Sequence, residues 1–355
     1  MGEHDLSAGG DVMDRVRGCA QDALAAYAGH PGASVELLNV SENATFLVCD
    51  PAAGPSVLRV HRLGYHTEQE IASELAWMDA LRTEAGVRTP RVLSAADGRR
   101  VVTVRERGGA AERYCVRFEF LPGTEPGAEQ AGAEQAGAEQ AGAAQAGAGA
   151  ALAGAHFAEL GEITARMHRH AREWSRPAWF TRFHWDYAAA FGRQARWGRW
   201  QDGIGVGPSE RQILSRLDDV LRARLRAFGS GPARYGLVHA DTRLANLLVH
   251  EGSVSVIDFD DSGFSWYLYD LGTAVSFFEH EPGVPALVDS WLQGYRKAGQ
   301  LAAEDQAEIW TFIMFRRLLL VAWIGSHRAV DIAAELGAGY TQGSCDLAES
   351  YLSTH

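Results

Sequence analysis

Cysteine is scarce in this sequence and unpaired in pattern: Cys19, Cys49, Cys115 and Cys345 are scattered through 355 residues, with no two at metal-ligand spacing. That argues against a disulfide framework or a zinc site and leaves reduced, mostly buried thiols as the expectation. No window approaches the roughly 18 uninterrupted apolar residues of a membrane-crossing helix. The opening MGEHDLSAGGDVMDR puts acids and glycines where a signal peptide needs a basic flank and an apolar run, so a cytoplasmic protein is expected. Cations are outnumbered, with 33 Lys+Arg against 45 Asp+Glu and a formal net charge of −12. This balance argues against broad binding to nucleic acid or a membrane surface and suits a cationic small molecule.

What is present is the composition of a globular protein, 46% hydrophobic and 22% charged, long enough for two domains. After a helical start around Val12 to Tyr27, SVELLNVSENATFLVCDPAAGPSVLRVHR reads as strands broken by Ser-Glu-Asn and Pro-Ala-Ala-Gly-Pro turns. In TEQEIASELAWMDALRTEAG, Ile71, Leu75, Met78 and Leu81 recur at helical spacing, and Thr67 before Glu70 predicts a capping box. More strands follow to about residue 123. Next comes GAEQAGAEQAGAEQAGAAQAGAGAA, a five-residue repeat without a large apolar side chain, in which each glycine costs a helix roughly 1 kcal/mol. It is read as a flexible linker within 124–151, with a frayed alanine-rich helix as the alternative. From Phe157 onward the patterns are mostly helical. The expected organisation is therefore an N-terminal lobe over 1–123, the linker, and a C-terminal lobe over 152–355.

The stretch LVHADTRLANLLVHEGSVSVIDFDDSG sets Asp241, Asn246 and Asp258 among valines and leucines. Asp and Asn are depleted in strands, so they need a local reason to be there. Strands over 247–249 and 254–257 joined by a tight turn would bring Asn246 and Asp258 together at the open end of a hairpin, with Asp241 on the loop before it. Phosphoryl transfer uses such a set: hard oxygen ligands for a cation and a carboxylate that orients the attacking hydroxyl.

These residues carry a resemblance. His239-Ala240-Asp241-Thr242-Arg243-Leu244-Ala245-Asn246, followed by Ile257-Asp258-Phe259-Asp260, is similar to the catalytic loop and metal-binding segment of the aminoglycoside phosphotransferase family. The resemblance implies an α+β, two-lobed protein-kinase-like fold, with a small β-rich N-lobe carrying one helix and a larger, mainly helical C-lobe. It implies ATP and Mg2+ as cofactors, Asp241 as the catalytic base or hydroxyl-orienting acid, and Asn246 and Asp258 as the magnesium ligands. Tyr269-Asp270-Leu271-Gly272 resembles the family's helix-opening motif, whose acid braces the catalytic loop through its backbone. His239 is implied to hydrogen-bond that loop rather than to move a proton.

In the N-lobe, SVLRVHR resembles the strand that carries a phosphate-binding lysine in related kinases, and Arg59 takes that place. Its helix partner is read as Glu74, with Glu70 one turn earlier as the competitor. No glycine-rich loop covers the phosphates; NVSENATF lies there instead, with Ser41 and Asn43 as phosphate contacts. The backbone of Phe118-Glu119-Phe120-Leu121, Glu119 and Leu121 in particular, would meet adenine. Trp179, Phe183 and Trp185 compete between lining an acceptor cleft and filling core, as do Arg316, Arg317, Trp323 and His327 between the cleft and buried ion pairs.

The function these features imply is transfer of the ATP γ-phosphate to a hydroxyl of a small molecule, such as an aminoglycoside, an amino alcohol, a homoserine-like compound or a natural product. The alternatives are a protein Ser/Thr kinase similar to the bacterial stress-response kinase branch, which lacks support from any APE-like segment after DFD, and a nucleotide-binding module without turnover.

Overall fold

A computed structural model describes residues 10–27, 32–40, 42–126, 142–328 and 330–354. The chain divides into two compact units, one running through Arg82 and adding Thr89–Leu121 and Arg176–Arg182, the other comprising Thr83–Arg88, Pro122–Ser175 and Phe183 onward.

The first unit is a six-stranded antiparallel sheet with two helices. Strands β1 (Ser34–Val40), β2 (Ala44–Asp50), β3 (Gly54–Val60), β4 (Val92–Leu93), β5 (Val102–Arg105) and β6 (Glu112–Glu119) pair antiparallel in the order β1-β2-β3-β6-β4, with β5 also on β6. Alternation along β2 turns Ala44, Phe46 and Val48 inward, where they meet Leu58, Val60 and Cys115 of neighbouring strands. Helix α1 (Gly10–Ala26) closes that face with Val16, Cys19, Ala20, Ala23 and Leu24. The β2–β3 turn is built by Asp50, whose Oδ1 accepts the N–H groups of Ala52 and Ala53, and by Gly54 at φ +81°. Helix α2 (Glu68–Glu84) opens with the predicted box: Thr67 N–H donates to Glu70 Oε2 at 2.8 Å, and Glu70 N–H donates to Thr67 Oγ1 at 3.2 Å.

The second unit is mainly helical. Its helices are α3 (Gly142–Glu173), α4 (Tyr187–Phe191), α5 (Pro208–Phe228), α6 (Leu268–Ala274), α7 (Val284–Ala298), α8 (Ala303–Gln306), α9 (Ile309–Ser326) and α10 (Asp331–Leu352). Two short antiparallel pairs lie among them, β7 (Tyr235–Val238) with β10 (Gly263–Trp266) and β8 (Leu247–His250) with β9 (Ser253–Val256). Helices α3 and α7 approach closely because Gly161 and Gly294 sit at their crossing; a Cβ on Gly294 would stand 1.7 Å from the Ala158 carbonyl oxygen. The segment Ala303–Ser326 is apolar and long enough to cross a membrane, yet 83% of its apolar window is buried inside the protein, as in a core helix.

The stretch read as a linker is occupied in part by α3, whose helical backbone begins at Gly142. Alanine, the best helix former, is dense enough there to outweigh the interspersed glycines. Upstream, Thr124 is also ordered by pairing, exchanging backbone hydrogen bonds with Val249 at 3.1 and 2.8 Å. Residues 127–141 of the repeat lie outside the described residues.

Candidate active site

The loop between β7 and β8 holds the first acid, and its shape is set by a side chain from α6. Asp270 Oδ1 accepts the N–H of Ala240 at 2.7 Å and its Oδ2 accepts that of His239 at 3.2 Å. Thr242 Oγ1 donates to the Asp270 carbonyl at 2.7 Å, and Thr242 N–H donates to Thr273 Oγ1 at 2.9 Å. These bonds hold Ala240 at φ +66°, a left-handed conformation that costs a residue with a Cβ and persists where the surroundings dictate it. Asp270 is itself backed by His168 of α3, whose Nε2 lies 3.0 Å from Oδ2 and whose Nδ1 meets the Tyr295 hydroxyl at 3.0 Å. The His239 ring is fully used within the loop: Nδ1 accepts the Asp241 N–H at 3.2 Å and Nε2 donates to the Ile257 carbonyl at 3.1 Å. A ring engaged in this way braces the loop.

The β8–β9 hairpin brings the second and third residues of the set to its open end. Leu247 faces Val256, and Ile257 N–H donates to the Asn246 carbonyl at 2.9 Å. Asp258 follows directly, at φ +58°. Asn246 Nδ2 donates to Asp241 Oδ2 at 2.6 Å and to the Asp241 carbonyl at 2.9 Å, so the amide that precedes the hairpin is clasped to the acid on the loop.

Asp241 is held by two arginines as well. Arg243 Nε donates to Oδ2 at 3.1 Å, and Arg316 Nη2, from the middle of α9, donates to Oδ1 at 2.7 Å. Burial pushes the Asp241 carboxyl upward, but the guanidinium charges of Arg243 and Arg316 outweigh it and hold the group below the usual carboxylate range. The charge of Asp241 first, and that of Asp258 after it, favour the charged form of Arg243 against the cost of burial, so this one guanidinium interacts with both acids.

In the first unit, Arg59 and Glu74 meet: Nη2 stands 2.6 Å from Oε1, with both side chains buried. The competitor Glu70 is occupied by the α2 cap. Lys297 is the single lysine of the sequence and lies on α7, 3.7 Å from Glu162, so no lysine is available for the place that Arg59 takes. Asn43 Oδ1 accepts the N–H of Arg62 at 3.0 Å, which ties the β1–β2 turn to the end of β3. Ser41 lies outside the described residues. At the end of β6, the Glu119 N–H donates to the Arg91 carbonyl at 2.9 Å and its carboxylate grips Arg91 Nε at 2.6 Å; Leu121 follows two residues on.

The aromatic candidates separate. Trp185 is core, its indole N–H donating to the Asp261 carbonyl at 2.8 Å, while Arg196 covers the Phe183 ring at 3.7 Å and Trp179 is 47% exposed. Of the α9 candidates, Arg317 is a buried ion pair with Glu279 at 2.6 Å and His327 stacks on Trp323. Sequence reasoning did not find Arg243 beside the acid, Tyr269 and Ser276 behind Arg316, or His168 behind Asp270; the only signal for Arg316 was a pair of arginines inside an otherwise apolar helix.

These residues sit on a mixed α+β chain with a β-rich first unit and a mainly helical second one. The family model for the phosphotransferase enzyme family matches residues 35–310, and the chain belongs to that family. A solved structure of a microcompartment-associated aminopropanol kinase is 47% identical, covers 94% of this chain and 97% of its own, and superposes with a TM-score of 0.82. The amicoumacin kinase of Bacillus subtilis (strain 168) is 25% identical over 187 residues, 50% of this chain, and the match spans about half of that protein, 52%. The structure of amicoumacin kinase hAmiN in complex with AMP-PNP, Ca2+ and Ami is 21% identical at a TM-score of 0.73, each chain covered to 95%, and shares the fold. The chain is thus a small-molecule kinase with a hydroxyl acceptor.

Proposed function

We propose that this kinase transfers the γ-phosphate of ATP, with Mg2+, to the hydroxyl of a small amino alcohol of the aminopropanol type. The observation that carries the chemistry is the clasp of Asn246 Nδ2 on Asp241 Oδ2 at 2.6 Å, beside the hairpin end that bears Asp258. The amino alcohol is supported by the full-length likeness to an aminopropanol kinase and by the chain's net charge of −12, which favours a cationic acceptor.

Asp241 is the residue that meets the acceptor. Its low pKa makes it a weak base at neutral pH, so its main work is to accept the hydroxyl's hydrogen bond and align the oxygen for attack, with the proton passing to the carboxylate as the new P–O bond forms and the bond from the γ-phosphorus to the departing ADP breaks. Asn246 and Asp258 fit a hard cation. Among the described residues no three His, Cys, Asp or Glu side chains gather as a metal nest, and an amide plus one carboxylate is the sparse donor set that Mg2+ accepts when phosphate oxygens and water complete its shell. Bound there, the ion would neutralise charge on the nucleotide's phosphates. Arg59, oriented by Glu74, is the phosphate-gripping cation of the first unit, with the turn at Ser41 and Asn43 as its companion. The Glu119 carbonyl and Leu121 N–H are the adenine contacts, since the Glu119 N–H is already committed to Arg91.

The test is ADP release with aminopropanol, other amino alcohols, aminoglycosides and a generic protein substrate, run on wild type, Asp241→Asn and Asp258→Ala. Amino alcohols should be the best acceptors. Asp241→Asn should bind Mg-ATP normally and lose about 10²- to 10⁴-fold in rate, whereas Asp258→Ala should weaken Mg-ATP binding itself. Wild-type rates in Asp241→Asn would overturn the residue assignment, and indifference to every amino alcohol would overturn the acceptor class.

A further inference from the structure

Arg316 sits in the middle of α9, among phenylalanines and leucines that fill the core, and a guanidinium in such a place needs a partner for each of its faces. It has them. Nη2 donates to Asp241 Oδ1 at 2.7 Å, Nη1 to the Tyr269 hydroxyl at 3.0 Å and Nε to Ser276 Oγ at 3.1 Å. The Trp197 ring lies 5.2 Å from the guanidinium carbon. Three acceptors in three directions fix the guanidinium plane, and a bond from a fixed donor fixes the carboxylate that receives it. The other oxygen of Asp241 is occupied by Asn246 and Arg243. An ionised carboxylate offers about four lone-pair sites, so three side-chain donors leave about one for an incoming hydroxyl.

We propose that Arg316 is a positioning residue for the transfer: by anchoring Asp241 Oδ1 it turns the one remaining lone pair of that carboxylate toward the acceptor. The proposal rests on the reading of Asp241 as the acceptor-facing acid. Every group that holds the carboxylate belongs to the second unit, so the acid is oriented by packing within that unit.

The experiment compares Arg316→Lys with Arg317→Lys, its neighbour, which is paired with Glu279 instead. Lysine keeps the charge but, as a single point donor, cannot span Asp241, Tyr269 and Ser276 together. Arg316→Lys should therefore retain Mg-ATP affinity and acceptor KM within about threefold while kcat falls about 10²-fold, the scale of loss for a reacting group displaced by an ångström. Arg317→Lys should lower the melting temperature and leave kcat of the folded enzyme unchanged. A wild-type kcat in Arg316→Lys, with Asp241→Asn inactive, overturns the proposal alone; transfer at wild-type rate in Asp241→Asn overturns the underlying reading as well. If Arg316→Lys does not fold, Tyr269→Phe decides: it deletes one hydroxyl from the guanidinium's support, and kcat should fall about tenfold at constant Mg-ATP affinity. Unchanged kcat in Tyr269→Phe overturns the proposal.

Discussion

Asp270 Oδ1 accepts the N–H of Ala240 at 2.7 Å, one of the bonds that hold a non-glycine residue in left-handed backbone directly beside Asp241. Asp270→Asn would keep one acceptor oxygen but turn an NH2 group against His239 N–H, Ala240 N–H or the His168 ring. The variant should lose about 2–4 kcal/mol of stability, because buried donors are left facing a donor. Urea unfolding measures this, and a shift below about 0.5 kcal/mol would show that the loop keeps its shape without the carboxylate.

Arg59 and Glu74 form a buried pair, and removal of Arg59 strands Glu74. Arg59→Ala should cost about 3–5 kcal/mol by leaving Glu74 charged and unpaired, whereas Arg59→Met combined with Glu74→Leu should recover most of that stability. The double variant should still show a raised KM for ATP, since packing is restored and the cation is not. Normal ATP kinetics in it would move the phosphate contact away from Arg59.

What the sequence made legible follows from chain distance. The closing of Asn246 onto Ile257, the residue before Asp258, was readable because a hairpin with a tight turn can close only one way, and the loop acid was readable by resemblance. The choice between Glu70 and Glu74 was also implicit in the sequence: a carboxylate that closes the Thr67 cap cannot also pair with Arg59, and the cap had been recognised. The Asp241–Arg316 bond was not legible, because 75 residues separate the partners and helix periodicity says nothing about which distant loop a buried arginine will meet. The first turns of α3 were obscured for a different reason, the repeat's glycines, which lower helix propensity without abolishing it where alanine is dense.

Gly294 has no room for a methyl group. Its Cβ would lie 1.7 Å from the Ala158 carbonyl oxygen, backbone that cannot swing aside, so α3 and α7 would have to separate. Gly294→Ala should destabilise by about 1–3 kcal/mol or more despite its better helix propensity. An unchanged or raised denaturation midpoint would show that the crossing can relax.

His168 gives the fold a pH dependence of known sign. Burial holds its pKa below the ordinary histidine value, although Asp270 beside it pulls the other way. The unfolded chain therefore binds this proton more readily than the folded one. The full stability is present above about pH 6.5 and is lost as pH falls from there toward the lowered folded value. His168→Gln retains a donor for Asp270 and removes the titration, so its melting temperature should decline less steeply than that of wild type between about pH 6.5 and 5. Parallel slopes would place the acid sensitivity elsewhere.

The two arginines of α9 are consecutive in the chain yet serve opposite neighbourhoods, Arg316 bound to Asp241 and Arg317 to Glu279, Ser344 and the Tyr340 carbonyl. Successive residues on a helix point about 100° apart, so the pair works as a key with two teeth: α9 can neither turn nor slide without withdrawing both at once. A single-residue insertion early in α9 would turn every later residue by about 100°, so that apolar side chains still met the core at new places while Arg316 swung off the acid and another side chain came round in its stead. The helix's angular setting, more than its composition, is what the carboxylate depends on.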